Sequence, residues 1–322
     1  MPAPRQHPLT RRDFCFCCVS ASAVAAGGWL SPRKAYAEAR GLVSLIKDSA
    51  AASPITVHRL RNNISVLEGS GGNVAVLSGP EGKLLVDAGI SVSQPQMTKR
   101  LGEISADPVT HLINTHWHFD HADGNSWLGP SGAKIIAQNN TRKYLSQVQR
   151  VDEWDYNFLP LRADGLPTEV FSDSHDIELN GASIALKHYG SAHTDSDISV
   201  TFGEADIVHV ADTFWNGVYP FIDYSTGGSI DGMIAASDAN LSATTDNTII
   251  IPGHGQPVSN RTELQAFRDM LVAVRDAVAE LKHEGRTRDE TVAAKPTAAF
   301  DATFGNFVID PPFFTRLVYE GV

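Results

Sequence analysis

Four side chains of the kinds that bind metal ions lie within six residues of this chain. His116 and His118 are two positions apart, and Asp120 and His121 follow them. They come after residues 111–114 (His-Leu-Ile-Asn), which predict a short buried strand. If the extended geometry of that strand continues, the first two histidines face the same side, and the other pair turns towards a second point nearby. Imidazole and carboxylate groups at this spacing indicate one half of a two-metal site.

The pattern His-x-His-x-Asp-His resembles the signature of the metallo-β-lactamase-fold hydrolases, and the similarity covers roughly residues 55–285. That family places three further ligands at the ends of later strands. Three matching motifs follow in order: Gly-Ser-Ala-His-Thr with His193, His-Val-Ala-Asp-Thr with Asp212, and Pro-Gly-His-Gly with His254.

The resemblance implies two groups of metal ligands that share one residue. They are His116, His118 and His193 for one ion, Asp120, His121 and His254 for the other, and Asp212 as a bridge. It also implies two Zn(II) ions per chain, with iron or manganese as alternatives, and a hydroxide between the ions as the nucleophile. Asp120 is the implied catalytic residue, because it can orient the hydroxide and accept a proton.

Two nearby residues compete for roles at this site. His188 lies inside an apolar run, so we expect it to pack in the core or at the surface, and we assign the ligand role to His193. Asp197, four residues beyond that ligand, is a candidate hydrogen-bonding partner for it.

Composition describes an ordinary soluble domain with an acidic surface. The 322 residues are 42% hydrophobic and 20% charged, with a net charge of −11. Residues 1–37 hold five basic residues and one acidic residue, so the remainder has 21 against 36, a net charge of −15. That balance disfavours nucleic acid and anionic membranes and leaves a small-molecule substrate as the expected partner. The oligomeric state stays open.

The first 37 residues predict an export signal. Residues 10–14 (Thr-Arg-Arg-Asp-Phe) resemble a twin-arginine motif, residues 14–30 are weakly apolar, and residues 35–37 (Ala-Tyr-Ala) offer a cleavage site. We therefore expect a periplasmic or secreted protein without stable membrane insertion after cleavage. An uncleaved anchor is the alternative.

All three cysteines of the chain, Cys15, Cys17 and Cys18, fall inside this signal. After its removal no disulfide or thiolate ligand is available.

The order of predicted elements favours an α/β fold, a four-layer αβ/βα sandwich of two mixed β-sheets flanked by helices. Strand signals lie at 55–60, 64–67, 73–77, 83–87, 133–137, 177–179, 182–188, 198–202, 206–211 and 248–251, and helix signals at 42–47, 95–104, 141–149, 229–241 and 262–283. Residues 150–167 are either a packed surface loop or a lid over the site. The predicted organisation is a signal (1–37), a leader (38–54), the main domain (55–285) and a C-terminal helical, aromatic-rich extension packed on it (286–322).

Asp212 narrows the implied chemistry. One group of zinc β-lactamases has cysteine at this position, whereas a bridging aspartate resembles thioesterases of the glyoxalase type, lactonases and exported zinc hydrolases. We predict an exported two-zinc hydrolase of a small ester, thioester, lactone or amide. The alternatives are β-lactamase activity, an iron enzyme of the persulfide dioxygenase kind with one metal, and a non-catalytic periplasmic accessory protein. Loops 61–72, 150–167 and 214–228 are expected to select the substrate.

Overall fold

A computed structural model describes residues 41–322 of the chain. A seven-stranded mixed sheet forms the first half of the fold. Its strands are β1 (Thr56–Arg59), β2 (Ile64–Glu68), β3 (Val74–Gly79), β4 (Gly82–Val86), β5 (Val109–Asn114), β6 (Lys134–Gln138) and, at the far edge, β9 (Glu169–Phe171). The first four strands pair in antiparallel fashion, and β4, β5, β6 and β9 pair in parallel. The predicted export signal lies outside the described residues.

A five-stranded sheet forms the second half. Its strands are β10 (Ser174–Leu179), β11 (Ala182–His188), β12 (Ile198–Phe202), β13 (Ile207–Asn216) and β14 (Ile249–Gly255). All pairs are antiparallel except β13 with β14, which is parallel. A separate two-stranded ribbon pairs β7 (Gln149–Val151) with β8 (Tyr156–Phe158).

Helices flank the two sheets and connect their strands. They are α1 (Leu42–Ala52), α2 (Gln94–Ile104), α3 (Phe119–Ala122), α4 (Asn125–Leu128), α5 (Asn139–Leu145), α6 (Ile230–Ala243), α7 (Arg261–His283), α8 (Arg288–Ala294), α9 (Asp301–Phe304) and α10 (Pro311–Gly321). Within residues 41–322, no helix combines the length and the apolar character needed to cross a membrane.

The apolar residues sort into layers that match the predicted sandwich. Between the two sheets, Val66 and Leu77 of the first sheet share a cluster with Val200 of the second. On the outer face of the first sheet, Met97 of α2 packs in its own cluster, and Leu271 of α7 belongs to the cluster beyond the second sheet. The predicted α/β fold, with two mixed sheets flanked by helices, is therefore confirmed.

Local sequence signals explain most element boundaries. Asn180 and Gly181 both adopt positive φ, at 56° and 72°, and form the turn of the β10–β11 hairpin. The side chain of Ser229 accepts a hydrogen bond from the backbone N–H of Gly232 and so begins α6. The side chain of Asn260 does the same for Glu263 at the start of α7.

Two segments differ from the predicted elements. The helix predicted for 141–149 ends at Leu145, because Gln149 pairs instead with Phe158 in the ribbon. Residues 150–167, expected as a loop or lid, contain part of that ribbon and short 3₁₀ turns. The leader, in turn, packs on the fold, since Val43 and Ala50 of α1 share a small core with Ile90 and Phe119.

Candidate metal centre

The predicted ligands meet at one end of the sandwich, where several strands end. The structure brings all seven together in two groups, in each of which the candidate ligand atoms lie within 4.8 Å of one another: His116, His118, His193 and Asp212, and Asp120, His121 and His254. The 116–121 motif follows β5 and runs into α3, Asp212 lies in β13, and His254 lies in β14. Their roles as ligands, and that of Asp120 in catalysis, stay predictions.

Asp212 lies between the two groups. Its Oδ1 is 3.0 Å from Nε2 of His121, and its Oδ2 is 3.3 Å from Nε2 of His254. The same Oδ2 is 3.4 Å from Nε2 of His193 in the other group. One carboxylate therefore contacts imidazoles of both groups, as a bridging ligand requires.

The first group, which we call the deep group (His116, His118, His193), is at most 2% exposed. Each ring is oriented by a hydrogen bond on the nitrogen that faces away from the group. The partners are Thr115 Oγ1 for His116 Nδ1 at 3.0 Å, Asp223 Oδ2 for His118 Nε2 at 3.0 Å, and the Phe221 carbonyl for His193 Nδ1 at 2.8 Å. These contacts fix the tautomers, so the other nitrogen of each neutral ring carries a lone pair.

The second group, which we call the mouth group (Asp120, His121, His254), reaches the surface, with Asp120 9% and His254 7% exposed. Nδ1 of His121 lies 2.7 Å from Oδ2 of Asp87, a buried carboxylate that also accepts hydrogen bonds from the N–H and hydroxyl of Thr115. Nε2 of His254 lies 3.2 Å from both Nε2 of His121 and Oδ2 of Asp120.

The deep group fits a bound cation. Nε2 of His193 lies 2.8 Å from Nδ1 of His118, and both nitrogens are the lone-pair sides of their rings. Two acceptors in contact repel each other unless a cation or a proton lies between them. Nε2 of His116 is also buried without a hydrogen-bond partner among the described residues, which is costly without a ligand. Imidazole nitrogens and carboxylate oxygens are donors that suit zinc and related divalent ions.

The two groups differ in the pKa values of their imidazoles. Burial lowers the pKa of His193 to about 4 and holds that of His116 well below its usual value. Burial opposes protonation of His254 as well, but Asp212 and Asp120 outweigh it and raise its pKa to about 9. Asp212, Asp87 and Asp120 likewise outweigh burial and raise the pKa of His121 well above its usual value. Neutral pH therefore leaves these two deep imidazoles uncharged and these two mouth imidazoles protonated.

Sequence comparison identifies the family of this chain. A model of the family described as "Metallo-beta-lactamase superfamily" matches residues 67–277, more than half of the chain. The chain belongs to this superfamily. With its two His/Asp ligand groups, it is a metal-dependent hydrolase of that superfamily with a binuclear-type site.

Two named relatives are an alkylsulfatase and a hydroxyacylglutathione hydrolase. A linear primary-alkylsulfatase of Pseudomonas sp. (strain ATCC 19151) is 23% identical over 260 residues, which is 67% of this chain and 48% of that protein. A hydroxyacylglutathione hydrolase of Erythrobacter litoralis (strain HTCC2594) is 50% identical over 44 residues, which is 13% of this chain and 17% of that protein.

A solved structure shows the same fold. The sec-alkylsulfatase Pisa1 from Pseudomonas sp. matches with a TM-score of 0.62 at 15% identity, over 83% of this chain and 50% of that one. The chain thus spans about half the length of the alkylsulfatases it matches.

Two glycines of this superfamily member leave room for the ligands. A Cβ atom on Gly72 would lie 2.2 Å from Cε1 of His121, and one on Gly253 would lie 1.9 Å from Oδ1 of Asp212. Both distances are shorter than any van der Waals contact, so a side chain at either position would displace a predicted ligand.

Strained backbone also occurs at the site. Asp87 and Ala211 adopt left-handed φ angles of 67° and 46°, and Ala211 interrupts the register between β13 and β14. Aspartate tolerates this region, but alanine does so at a cost of roughly 1–2 kcal/mol. The irregularity directly precedes Asp212, the residue between the two groups.

Aromatic side chains surround the ligand groups. We call Trp154, Phe158, Trp215, Phe221, Phe307 and Phe313 the aromatic collar. The ring of Trp215 lies 4.2 Å from that of His254, and the ring of Trp154 lies 5.6 Å from that of His118, measured between centroids. The collar therefore contacts both ligand groups.

The competing residues of the sequence lie outside the ligand groups. Nε2 of His188 lies 2.9 Å from the carbonyl of Asp195, so this histidine is not among the clustered ligands. Asp197 accepts hydrogen bonds from the N–H and hydroxyl of Thr194, so it braces the loop beside His193 and does not contact the imidazole. Burial raises the pKa of Asp197 to about 8.

Sequence reasoning missed Asp87 and Asp223, which orient His121 and His118. A signal existed for Asp87, because it follows β4 and parallel neighbouring strands end at the same edge of a sheet. Asp223 lies in an irregular segment after β13, where no periodic pattern marks it.

Proposed function

We propose that this chain is an exported hydrolase that uses two zinc ions to cleave a small ester, thioester, lactone or amide. The supporting observation is the position of Asp212, which contacts His121 and His254 on one side and His193 on the other. This arrangement fits two ions held side by side better than it fits one.

The deep group and Asp212 would hold one ion, and the mouth group and Asp212 the other. Zinc is the expected metal because of the nitrogen-rich donor set, with iron and manganese as alternatives. When bound, the two ions polarise the scissile bond and activate a water molecule as the nucleophile.

Residues of the chain itself would orient the attacking water, accept its proton and hold the ligand imidazoles in place. Burial opposes the ionisation of Asp120, but His121 and His254 outweigh it and lower the pKa of Asp120 to about 2. Its carboxylate is therefore ionised at neutral pH and, at the open side of the site, can orient water and accept a proton. Asp87 and Asp223 hold the imidazoles of His121 and His118 in the tautomers that ligation needs.

Hydrolysis of an alkyl sulfate ester is the second candidate function. The similarity to a linear primary-alkylsulfatase over 260 residues favours it. β-Lactam hydrolysis, a single-iron persulfide dioxygenase reaction and a non-catalytic accessory role are weaker alternatives, and the two ligand groups argue against a site for one ion.

Elemental analysis followed by a substrate panel tests the proposal. The purified protein should contain two zinc ions per chain and hydrolyse at least one neutral ester, thioester, lactone or amide. Activity on alkyl sulfates alone would select the second candidate. One tightly bound iron per chain, with no hydrolysis of any substrate, would refute both.

The export part of the proposal has a separate test. Arg11 and Arg12 precede a weakly apolar run and a small-residue cleavage site, and no nucleic-acid or stable membrane partner is proposed. Replacing both arginines by lysine should leave uncleaved protein in the cytoplasm. Normal export of that variant would refute the twin-arginine route.

A further inference from the structure

We propose that Phe307 and Phe313 of the C-terminal segment determine substrate specificity, and that the substrate carries an apolar acyl or alkyl group that binds against the aromatic collar. This inference rests on the proposed hydrolytic function. Both residues lie beyond residues 67–277, the part of the chain that the family model matches. The segment therefore lies outside the part of the chain that carries the candidate ligands and that the family model matches.

Phe307 contacts the mouth group. Its ring centroid lies 6.3 Å from that of His254 and 6.1 Å from that of Trp215. The side chain is partly exposed, whereas the ring of Trp215 is 4% exposed. Phe307 therefore extends an aromatic surface from the buried edge of the mouth group towards solvent.

Phe313 extends the collar on the side of the deep group. Its ring lies 6.3 Å from that of Phe221, which in turn lies 6.1 Å from the rings of both His118 and His193. Asp310 caps α10 by accepting a hydrogen bond from the N–H of Phe313, which fixes this residue in the first turn. The position of Phe313 is thus set by a local sequence signal.

The β7–β8 ribbon supplies further partly exposed rings. Trp154 lies 4.7 Å from Phe221 and 6.0 Å from Phe158, measured between ring centroids. The indole nitrogen of Trp154 is buried without a hydrogen-bond partner among the described residues. Trp154 of the ribbon and Phe313 of the C-terminal segment therefore both contact the ring of Phe221.

Charge at the site favours an apolar group over an anionic one. Four carboxylates lie in or beside the ligand groups: Asp87, Asp120, Asp212 and Asp223. Within residues 41–322, no lysine or arginine forms an ion pair with any of them. Two divalent ions would only balance these charges. An apolar acyl or alkyl group of the substrate needs no fixed cation. Its affinity for the collar should rise by about fourfold for each methylene removed from water.

A chain-length series on the zinc-containing protein tests this inference. We expect kcat/KM for p-nitrophenyl esters to rise by up to about fourfold per methylene from acetate to octanoate. In Phe307→Ala and Phe313→Ala, the octanoate ester should lose at least about tenfold in kcat/KM, mainly through KM, and the acetate ester should change less than about twofold. The matched control is Phe300→Ala, a partly buried ring of the same segment outside the collar, which should keep the wild-type slope.

A binding measurement separates this inference from the proposed function. Quenching of tryptophan fluorescence should show decanoate binding more tightly than acetate, and Phe307→Ala should abolish the difference while circular dichroism and zinc content stay unchanged. If the protein hydrolyses no ester but binds by chain length, the proposed ester hydrolysis fails and the apolar subsite stands. If it hydrolyses short and long esters equally, or if the variants keep the wild-type slope, the subsite is refuted and the hydrolase remains.

Discussion

The deep group and the mouth group use similar side chains in different surroundings. The deep imidazoles are fully enclosed, and Thr115, Asp223 and the Phe221 carbonyl hold each ring by its outer nitrogen. The mouth group is partly open, and its imidazoles share protons with Asp120 and Asp212. The deep group is thus arranged for an ion in advance, whereas the mouth group has to exchange protons for one.

Asp212→Asn should have the largest effect because it removes a charge that both groups share. We expect the affinity for both ions to fall by about 100-fold or more, which exceeds the usual cost of losing an orienting partner, and hydrolysis to fall by orders of magnitude. Metal titration and elemental analysis would measure this. The matched control is Asp197→Asn: burial raises the pKa of this buried acid to about 8, so the amide resembles its neutral form at pH 7 and both ions should remain. Loss of only one ion in Asp212→Asn would refute the bridging role.

His254→Ala should separate the two groups. Because His254 belongs to the mouth group alone, the variant should keep one ion per chain at an affinity close to wild type. His188→Ala, a histidine outside both groups, should keep two. Elemental analysis after dialysis gives the count, and a wild-type content in His254→Ala would remove this residue from the ligand set.

The orienting carboxylates should have smaller and separate effects. Asp223→Asn should weaken the deep ion by about 10–100-fold, and Asp87→Asn should weaken the mouth ion by a similar factor. Stepwise titration with a coloured zinc chelator would show which ion is released first in each variant. If both variants lose the same ion first, the two groups are not independent in the way their contacts indicate.

A further expected difference between the two groups concerns pH. Acidic neighbours outweigh burial and raise the pKa of His254 to about 9 and that of His121 well above its usual value, so at pH 7 an ion must displace their protons. Affinity of the mouth group should fall by up to about tenfold per displaced proton for each unit of pH below about 9. His193, whose pKa burial lowers to about 4, should contribute no such loss above that pH. Calorimetric titration in buffers of different ionisation enthalpy counts the protons, and equal release from both groups would contradict this difference.

The sequence predicted what local patterns encode. The 116–121 motif, the alternation of strand residues and the Asn180-Gly181 turn each depend on neighbours along the chain, and the fold has them as predicted. The position of Phe307 beside His254 depends on how the C-terminal helices pack, and nothing in its own neighbourhood indicates it. The sequence therefore predicts loops 61–72, 150–167 and 214–228 as the segments that select the substrate, and it indicates no such role for the C-terminal segment.

The part of the chain that carries the candidate ligands is shorter than the part needed for a stable fold, because α7 packs against the C-terminal helices. A fragment limited to residues 67–277 would carry every candidate ligand, yet it would begin inside β2 and lack its pairing partner β1. It would also expose Leu271 and Val274 of α7, which share a core with Phe314 and Leu317 of α10. Such a fragment should precipitate or fail to fold when expressed alone, because it uncovers an apolar helix face and a sheet edge together. Genes trimmed to the common family boundaries should therefore yield insoluble protein, although they encode every candidate ligand.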